Sequence, residues 1–466
     1  MNELCVLILA AGKGTRMASS RAKVLHRVCD VPMLTMIYRA ASSLRPDKIF
    51  VIVGNDADRV RDSLKDTSAH IIHQAEQLGT GHAVMCAEAE LGGMKGDVLV
   101  MFGDTPRIRA RTLQDLVEDH RRSGVDTTLL TALAPDPFAY GRILRSADGQ
   151  ISGIVEEKDA SPEQKQIREV NPGFYCFKIK QLLESLGKLS NRNAQGEYYI
   201  TDLIGIQRLE GRRINAKPHE DFEELRGINS RRELAETSLA MSRDKNLALM
   251  AAGVTLIDPD RTYIGLDVIV EPDVTIYPMV SLEGATRIGA ESVVRSGSRI
   301  ADASLGCGVQ VLDATLVTDS KIGDNSIVGP HAHVRDHSLV GAGCRIGNFV
   351  ELVRSSLGDG VKAAHLAYLG DAEIGRNVNI GAGVITCNYD GVQKQVTVIE
   401  EDVFVGSDCQ LVAPVRIGRG ASVAAGSCIT RDIPPGALGI ARSQQLIKTN
   451  WAGRNSRSAR GAIDKL

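Results

Sequence analysis

The chain lacks several features that would assign it to large classes of protein. No apolar run is long enough to cross a bilayer, and the apolar start at residues 4–11 follows an acidic residue rather than the basic residues of a signal peptide. The nine cysteines contain no C-x-x-C pair, and aromatic residues make up only 4% of the sequence. A net charge of −2 provides no overall positive field for nucleic acid. These absences favour a cytoplasmic protein with reduced thiols and without membrane insertion.

The first half of the chain has the pattern of an α/β domain. With 466 residues, the chain is longer than one hydrophobic core usually serves. Up to about residue 229, short apolar runs alternate with longer amphipathic stretches, which predicts a mostly parallel sheet covered by helices. The predicted strands are 5–10, 49–53, 98–102, 127–133 and 174–179, and the predicted helices are 33–44, 81–89 and 111–123.

The second half has a different period, with aliphatic residues every six positions. The longest series is Ile322, Val328, Val334, Val340, Ile346 and Leu352. Six fits neither a helix nor a simple strand, but it fits a coil of triangular cross-section, that is, a left-handed parallel β-helix of hexapeptide repeats. We therefore divide the chain into a front domain (1–229), a helical linker (230–252), the coil (253–442) and a basic tail (443–466).

The tail carries Lys448, Arg454, Arg457, Arg460 and Lys465. It is predicted to cap the coil, to pack on a neighbouring subunit, or to be a partly disordered end.

The front domain carries a candidate phosphate site. The glycine-rich segment 9–16 follows the first strand directly, so backbone N–H groups can approach a phosphate, and Arg16 and Lys23 supply cations. Gln74, before the turn at 79–81, has an amide that can bond to a base edge. Asp104 follows a predicted strand, where a carboxylate is well placed for Mg²⁺ among phosphates. Each feature alone is also typical of an ordinary turn.

The coil carries a candidate base. The segment 362–371 breaks the six-residue rhythm, which predicts a loop, and His365 lies within it. Imidazole is suited to accept a proton near neutral pH and so to act as a general base. Polar residues follow within a few coils at Asn379 and Asn388, and Arg335 and Lys394 add cations suited to a sugar phosphate. An isolated histidine is more often structural.

Many motifs in order then give a specific resemblance. The segments LAAGKGTRM, KVLH, QAEQLGTGHA, GDTP, YGRI, GIVEEKD, NAQGEYYITD and GIN resemble the sugar-nucleotide pyrophosphorylases. Together with the hexapeptide coil, the chain resembles the bacterial bifunctional N-acetylglucosamine-1-phosphate uridyltransferases/glucosamine-1-phosphate acetyltransferases. The resemblance implies a Rossmann-like front domain, UTP and acetyl-CoA as co-substrates, sugar phosphates as the other substrates, Mg²⁺ as cofactor, and a homotrimer. Its product would serve peptidoglycan and lipopolysaccharide synthesis.

The resemblance also implies roles for individual residues. Arg16 and Lys23 would act on the phosphates, Asp104 and Asn229 would hold Mg²⁺, and His365 would be the general base. The other residues of the uridyl site would be Leu9, Ala10, Ala11, Gly12, Gln74, Gly79, Thr80, Phe102, Gly103, Gly141, Glu156 and Asn171. The acetyl site would use Arg335, Tyr368, Asn379 and Asn388 for the sugar phosphate, and Ala382, Tyr389, Ser407, Ala425 and Arg442 for acetyl-CoA.

Three positions depart from the family pattern. Phe102 stands where a tyrosine is frequent, and Asp336 stands where a proline is expected. Val353 stands where a lysine binds the phosphate; Arg354 is next to it, but adjacent residues on a strand point to different faces. The changes at Asp336 and Val353 bear on affinity for the sugar phosphate in the acetyl site. At Phe102, in the uridyl site, a backbone contact would survive the change and a hydroxyl contact would not.

Two other functions stay open from the sequence. One is a sugar-1-phosphate nucleotidyltransferase with a single activity, whose coil is structural or regulatory. The other is a carbohydrate- or nucleotide-binding assembly protein without catalysis. Acetyl-CoA consumption distinguishes the first from the bifunctional enzyme, and UTP turnover distinguishes the second.

Overall fold

The structure is a computed structural model that describes residues 3–12, 14–54, 56–449 and 451. It contains two compact units, with the border between Asp244 and Lys245. Of the basic tail residues, Arg454, Arg457, Arg460 and Lys465 lie outside the described residues. The predicted division at 229, 252 and 442 stays a prediction. In the described residues, no helix is both long enough and apolar enough for a membrane span.

The front unit contains a large mixed sheet, with helices packed on it. Its strands are β1 Glu3–Leu9, β2 Arg27–Val28, β3 Val31–Pro32, β4 Lys48–Val53, β5 His70–His73, β6 Gly96–Phe102, β7 Thr127–Leu133, β8 Gly141–Arg145, β9 Ile151–Val155, β10 Glu169–Asn171, β11 Phe174–Lys178 and β12 Ile214–His219. Its helices are α1 Met33–Ser42, α2 Ala57–Ser63, α3 Thr80–Met85, α4 Glu88–Gly92, α5 Ala110–Ser123, α6 Ile179–Leu186 and α7 Asp202–Leu209, followed by α8 Arg231–Ala251. Short 3₁₀ helices lie at Thr15–Met17, Lys23–Leu25, Gln164–Gln166 and Phe222–Glu224, and the rear unit has one at Pro259–Arg261.

The sheet is less parallel than predicted. Its order is β5-β4-β1-β6-β11-β7-β10-β8-β9, with β12 paired to β7, and β2 and β3 form a separate two-stranded ladder. The first four strands are parallel, but β11 runs antiparallel to β6 and β7, and β8, β9 and β10 are also antiparallel. The expected helix 81–89 is likewise two short helices, α3 and α4.

Both faces of the sheet are buried. Neighbouring residues of β1 point to opposite sides, so that Leu7 belongs to one apolar cluster and Ile8 to the other. The carboxyl ends of β1, β4 and β6 meet at one edge, where Leu9 pairs with both Ile52 and Phe102. The loops after these strands therefore lie together, as is usual for ligand sites in such sheets.

The rear unit is the predicted left-handed parallel β-helix, built of three parallel sheets. The first coil sheet contains Thr255–Leu256, Thr275–Ile276, Val293–Val294, Gln310–Val311, Ile327–Val328, Arg345–Asn348, Lys362–His365, Asn379–Ile380, Phe404–Val405, Ser422–Val423 and Leu438–Gly439. The second contains Tyr263–Ile264, Ser281–Glu283, Arg299–Ala301, Leu316–Thr318, His333–Arg335, Glu351–Val353, Tyr368–Gly370, Ile385–Cys387, Gln410–Val412 and Cys428–Ile429. The third contains Ile269–Val270, Arg287–Ile288, Ser304–Leu305, Lys321–Ile322, Leu339–Val340, Ser356–Leu357, Ala372–Ile374, Thr397–Ile399 and Val415–Ile417.

The aliphatic series predicted to stack inside the coil does so. Val328 pairs with Ile346 and Val334 with Leu352, in each case one turn and 18 positions apart, and all four are buried. The loop predicted for residues 362–371 is wrong, because this segment forms strands in the first and second coil sheets. Its broken rhythm reflects a turn of 17 residues, in which Ile346 pairs with Ala363. The segment between Cys387 and Thr397 is the longer excursion.

Candidate active sites

A cavity at the carboxyl edge of the front sheet gathers the first group of predicted residues. The loop after β1 lies beside the Lys23–Leu25 turn, and a side chain on Gly14 (φ 58°) would come within 2.7 Å of Lys23 Cβ. The residues predicted for the nucleotide line this cavity. They are Leu9, Ala10, Ala11, Gly12, Lys23, Gln74, Gly79, Thr80, Phe102 and Asp104.

The side-chain amide of Gln74 is held through its nitrogen, while its carbonyl oxygen makes no hydrogen bond within the described residues. The side chain is buried, and Nε2 donates to Gly79 O at 3.1 Å and lies 2.9 Å from His82 Nδ1. Since Gly79 O can only accept, this assigns the nitrogen of the amide. Oε1 is then available to accept a hydrogen bond from a bound base.

The segment 193–201 completes this cavity, although no role was predicted for its residues from sequence. The backbone of Tyr198 bonds to the turn on both sides: its N–H donates to Leu78 O (2.8 Å) and its carbonyl accepts from Gly81 N (2.7 Å). Gly79 (φ 108°) has no room for a Cβ, which would lie 2.5 Å from Tyr198 O. Glu197 lines the cavity, as does Gln77. The motif NAQGEYYITD was the available signal for Glu197.

Three side chains from distant parts of the chain meet beside this cavity, which Lys23 and Asp104 line. Lys23 Nζ donates to Asp104 Oδ2 and, at 2.9 Å, to Asn229 Oδ1. Asp104 is placed by Gly103, whose N–H donates to Leu9 O (2.9 Å). Asn229 is placed by Glu233 at the start of α8, which accepts from its backbone N–H (2.5 Å).

This arrangement fits a divalent cation. A carboxylate oxygen and an amide oxygen converge on one cationic atom, and both are ligands that Mg²⁺ prefers. Within the described ranges, no group of three or more His, Cys, Asp or Glu side chains gathers in a metal-binding arrangement. Mg²⁺ is commonly held by one or two protein oxygens, with phosphates and water as its other ligands.

A second cavity continues from the first and contains the residues predicted for the sugar. Gly141, Glu156 and Asn171 line it, together with Arg16 and Asn229. Asn171 is buried and donates to the Tyr175 hydroxyl at 2.6 Å. Arg16 is exposed in the Thr15–Met17 turn. Tyr199 and Gln195, which were not predicted as site residues, also line the cavity.

The packing of Phe102 shows why phenylalanine is tolerated where the family often has tyrosine. Its ring lies against the backbone of Gly173 (φ 90°), where a Cβ would come within 2.2 Å of the ring. The ring therefore contributes by packing, and a hydroxyl is not needed for that contact.

The ionised form of Glu156 is expected to lower the free energy of unfolding at neutral pH. Burial raises its pKa, Thr201 opposes the shift by donating to Oε1 at 2.8 Å, and the Asp202 and Asp159 carboxylates add to it. A carboxyl whose pKa is raised by folding destabilises the folded state as pH rises past its ordinary value of 4.5. Glu156→Gln should therefore raise the melting temperature of the front unit by about 2–4 °C at pH 8 and not at pH 4.5.

Calorimetric scans at both pH values measure this difference. The matched control is Glu163→Gln, an exposed carboxyl whose pKa is lowered by a bond from Ser161. No gain at pH 8 for Glu156→Gln relative to this control would contradict the prediction.

On the coil, His365 ends a strand of the first sheet, beside Asn348 of the preceding turn. Its side chain is exposed and accepts or donates no hydrogen bond within the part of the chain that the structure describes. The chain turns a corner directly afterwards at Leu366 (φ 48°) and enters the second sheet at Tyr368.

Four of the predicted residues form a column along this corner. Backbone bonds connect successive turns: Gly383 N to Leu366 O (3.0 Å), Asp408 N to Ala382 O (2.7 Å) and Gly426 N to Ser407 O (2.8 Å). Arg442 Cδ lies 3.8 Å from where a Cβ on Gly426 would be. The structure thus places Ala382, Ser407, Ala425 and Arg442 in a continuous line that begins at His365.

The second coil sheet brings together the polar residues predicted for the sugar phosphate. Glu351 pairs with Tyr368 in the next turn, and Arg335 donates to Glu351. A Cβ on Gly370 would lie 2.6 Å from the Tyr368 hydroxyl and 2.7 Å from Asn388 Nδ2, so both groups converge over this glycine.

Three other residues named from the sequence lie elsewhere on the coil. Asn379 lies in the first sheet and pairs with Lys362, not with the second-sheet group. Tyr389 is exposed on the excursion after Cys387, where its hydroxyl donates to Gly391 O within the same segment (2.8 Å). Val353 is buried between Arg335 and Gly370 in the ladder, so its apolar side chain is packed.

Comparisons with known proteins agree with both halves of this description. Residues 6–164 match the family of MobA-like NTP transferase domains, and residues 319–354 and 397–431 match the bacterial transferase hexapeptide (six repeats). Proteins named bifunctional protein GlmU are similar over nearly the whole chain. That of Shouchella clausii is 47% identical (96% of this chain, 98% of the relative), that of Trichlorobacter lovleyi 48% (96% and 97%), and that of Exiguobacterium sibiricum 47% (97% and 100%).

Proposed function

Since this chain belongs to the family of bifunctional GlmU proteins, we propose that its two sites catalyse successive steps of UDP-N-acetylglucosamine synthesis. The coil transfers an acetyl group from acetyl-CoA to glucosamine-1-phosphate. The front unit then transfers uridylate from UTP to N-acetylglucosamine-1-phosphate and releases pyrophosphate. The observation that carries this proposal is the presence, in one chain, of a phosphate cavity with the Lys23–Asp104–Asn229 cluster and of His365 at the head of a corner column.

Uridyl transfer needs positioning and neutralisation of charge rather than a covalent intermediate. A phosphate oxygen of the sugar phosphate attacks the α-phosphorus of UTP, a new P–O bond forms, and the bond to pyrophosphate breaks. Gln74 Oε1 accepts from the base, and the sugar lies against Gly141, Glu156 and Asn171. Arg16 and Lys23 stabilise negative charge on the phosphates.

Asp104 and Asn229 are the residues that would hold Mg²⁺. Their oxygens already converge on the Lys23 ammonium, which supports this assignment. When bound there, the ion would supply further positive charge for the reacting phosphates. Lys23 can then donate to phosphate instead of to the two oxygens.

Acetyl transfer needs a neutral amine. His365 accepts a proton from the amino group of glucosamine-1-phosphate, and the nitrogen attacks the thioester carbonyl. The tetrahedral intermediate then collapses, the C–S bond breaks, and the thiolate of CoA leaves and takes up the proton held by His365. The Ala382 N–H donates no hydrogen bond within the described residues, so it is available for the negative oxygen of the intermediate. Ser407, Ala425, Arg442 and Tyr389 would contact CoA, and Asn379 the sugar.

We further propose that the protein is a homotrimer of the cytoplasm. Large apolar side chains are exposed along the coil, including Phe349, Leu366 and Phe404, which is unusual for a monomer. All nine cysteines are free thiols, which suits a reducing compartment.

The direct test is an assay of both half-reactions on the purified full chain. Acetyl-CoA should be consumed only with glucosamine-1-phosphate, and UTP should be turned over with N-acetylglucosamine-1-phosphate and Mg²⁺. Uridyl transfer without acetyl transfer would support a nucleotidyltransferase with a structural coil and overturn the bifunctional assignment.

A further inference from the structure

Two arginines on successive turns of the coil point one N–H group at the same oxygen. Arg335 Nη1 lies 2.7 Å and Arg354 Nη1 lies 3.2 Å from Asp336 Oδ2. Arg335 ends a strand of the second coil sheet, and Arg354 follows the next strand of that sheet at a corner with φ 49°. The two guanidinium groups therefore converge on a single anionic point.

Each guanidinium group is held from behind by its own carboxylate. Glu351 Oε1 accepts from Arg335 Nε (3.0 Å) and Nη2 (2.8 Å). Asp371 accepts from Arg354 Nε (2.7 Å) and Nη2 (3.1 Å), and it also accepts from Asn388 Nδ2. Because a guanidinium group is planar, these contacts fix the direction of the remaining Nη1 donors.

Asp336 is the most weakly held member of this group. Its side chain is 44% exposed, compared with 12% for Asp371. An exposed carboxylate gives up an ion pair at little cost, whereas a phosphate offers more negative charge and more oxygens to the same donors. Asp336 also has a left-handed backbone (φ 56°), a conformation that aspartate tolerates and proline does not adopt.

We propose that Arg335 and Arg354 together bind the phosphate of the amino-sugar phosphate, and that Asp336 occupies the same position when this phosphate is absent. The proposal rests on the acetyl-transfer function. Arg354 is thus a second phosphate ligand, and Asp336 is a resident competitor that lowers the apparent affinity for substrate. Tyr368 pairs with Glu351, which holds Arg335, and its hydroxyl meets the Asn388 amide over Gly370, so this phosphate position lies beside the predicted sugar site.

Substitutions of Arg354 and Asp336 should change KM for glucosamine-1-phosphate in opposite directions. Arg354→Gln should raise KM for glucosamine-1-phosphate about 10- to 100-fold, since it removes a charge-assisted bond, and leave KM for acetyl-CoA unchanged. Asp336→Asn should lower KM for glucosamine-1-phosphate about 3- to 10-fold, because it removes the competing charge and keeps a residue that accepts positive φ. The matched control is Arg299→Gln, which breaks a similar bond to Glu283 on earlier turns.

Calorimetric titration with inorganic phosphate tests binding without turnover. Phosphate should bind more tightly to Asp336→Asn and more weakly to Arg354→Gln than to the wild type. Unchanged phosphate affinity and unchanged KM in Arg354→Gln, or weaker binding in Asp336→Asn, would overturn the proposal. Circular dichroism checks that both variants fold, and Arg354→Lys, which keeps the charge but not the fork, should give an intermediate KM. A wild type without acetyl transfer would instead overturn the proposed function, independently of phosphate binding.

Discussion

His365→Asn is expected to lower kcat for acetyl transfer by about 10²–10⁴-fold while uridyl transfer stays at the wild-type level. Loss of a general base costs roughly this factor, because the amine then loses its proton without help. The imidazole is exposed and free of hydrogen bonds within the described part of the chain, so its removal leaves no buried partner unpaired. Steady-state assays of both half-reactions on one preparation measure the contrast.

The same substitution at His337 is the matched control. That imidazole is exposed on the coil and pairs with Asp319 (3.1 Å), and asparagine accepts its positive φ of 63°. His337→Asn should keep acetyl transfer. If His365→Asn retains full acetyl transfer, or if both variants lose it equally, His365 is not the base.

Asp104→Asn is expected to lower kcat/KM for uridyl transfer by about 10²–10³-fold and to leave acetyl transfer intact. The amide keeps an oxygen for Lys23 but removes the charge that would hold Mg²⁺, whose stabilisation of the reacting phosphates is worth several kcal/mol. The variant should also need a higher Mg²⁺ concentration for half-maximal rate. Initial rates over a range of Mg²⁺ concentrations measure both effects.

Asp58→Asn provides the control for this charge change. Asp58 pairs with Arg61 at the surface, with 94% of its side chain exposed, and such pairs contribute little. Its Mg²⁺ dependence should match that of the wild type. An unchanged Mg²⁺ dependence in Asp104→Asn would show that this carboxylate is not a ligand of the ion.

The nucleotide cavity was largely predictable from sequence because its residues follow strand ends. Leu9 and Asp104 lie at or just after the ends of the buried parallel strands β1 and β6, and such ends meet at one edge of a sheet. Gln74 follows β5, a partly exposed parallel strand that the sequence pattern did not predict. Glu197 was missed because it comes from a loop far along the chain, whose position depends on backbone bonds to residues 78–81.

The coil was predictable in architecture but less so in its polar face. Six-residue spacing identifies inward side chains, but outward neighbours depend on whether a turn holds 17 or 18 residues. That difference made the segment 362–371 look like a loop. The contact of Arg354 with Asp336 was missed for another reason, since both residues lie at corners with positive φ, where six-residue spacing does not give the direction of a side chain.

The turns of the coil differ in length, and the extra residues lie in the corners rather than in the stacked strands. Val328 and Ile346 are separated by 18 residues, Ile346 and Ala363 by 17, and Ile380 and Val405 by 25, yet each pair stacks in the same sheet. Corners therefore absorb insertions and deletions, whereas the strands stay short, with two to four residues each. A corner can therefore lengthen during evolution into an arm that contacts substrate, while the buried side chains stay stacked as before. Changes in substrate contact are then independent of changes in the core.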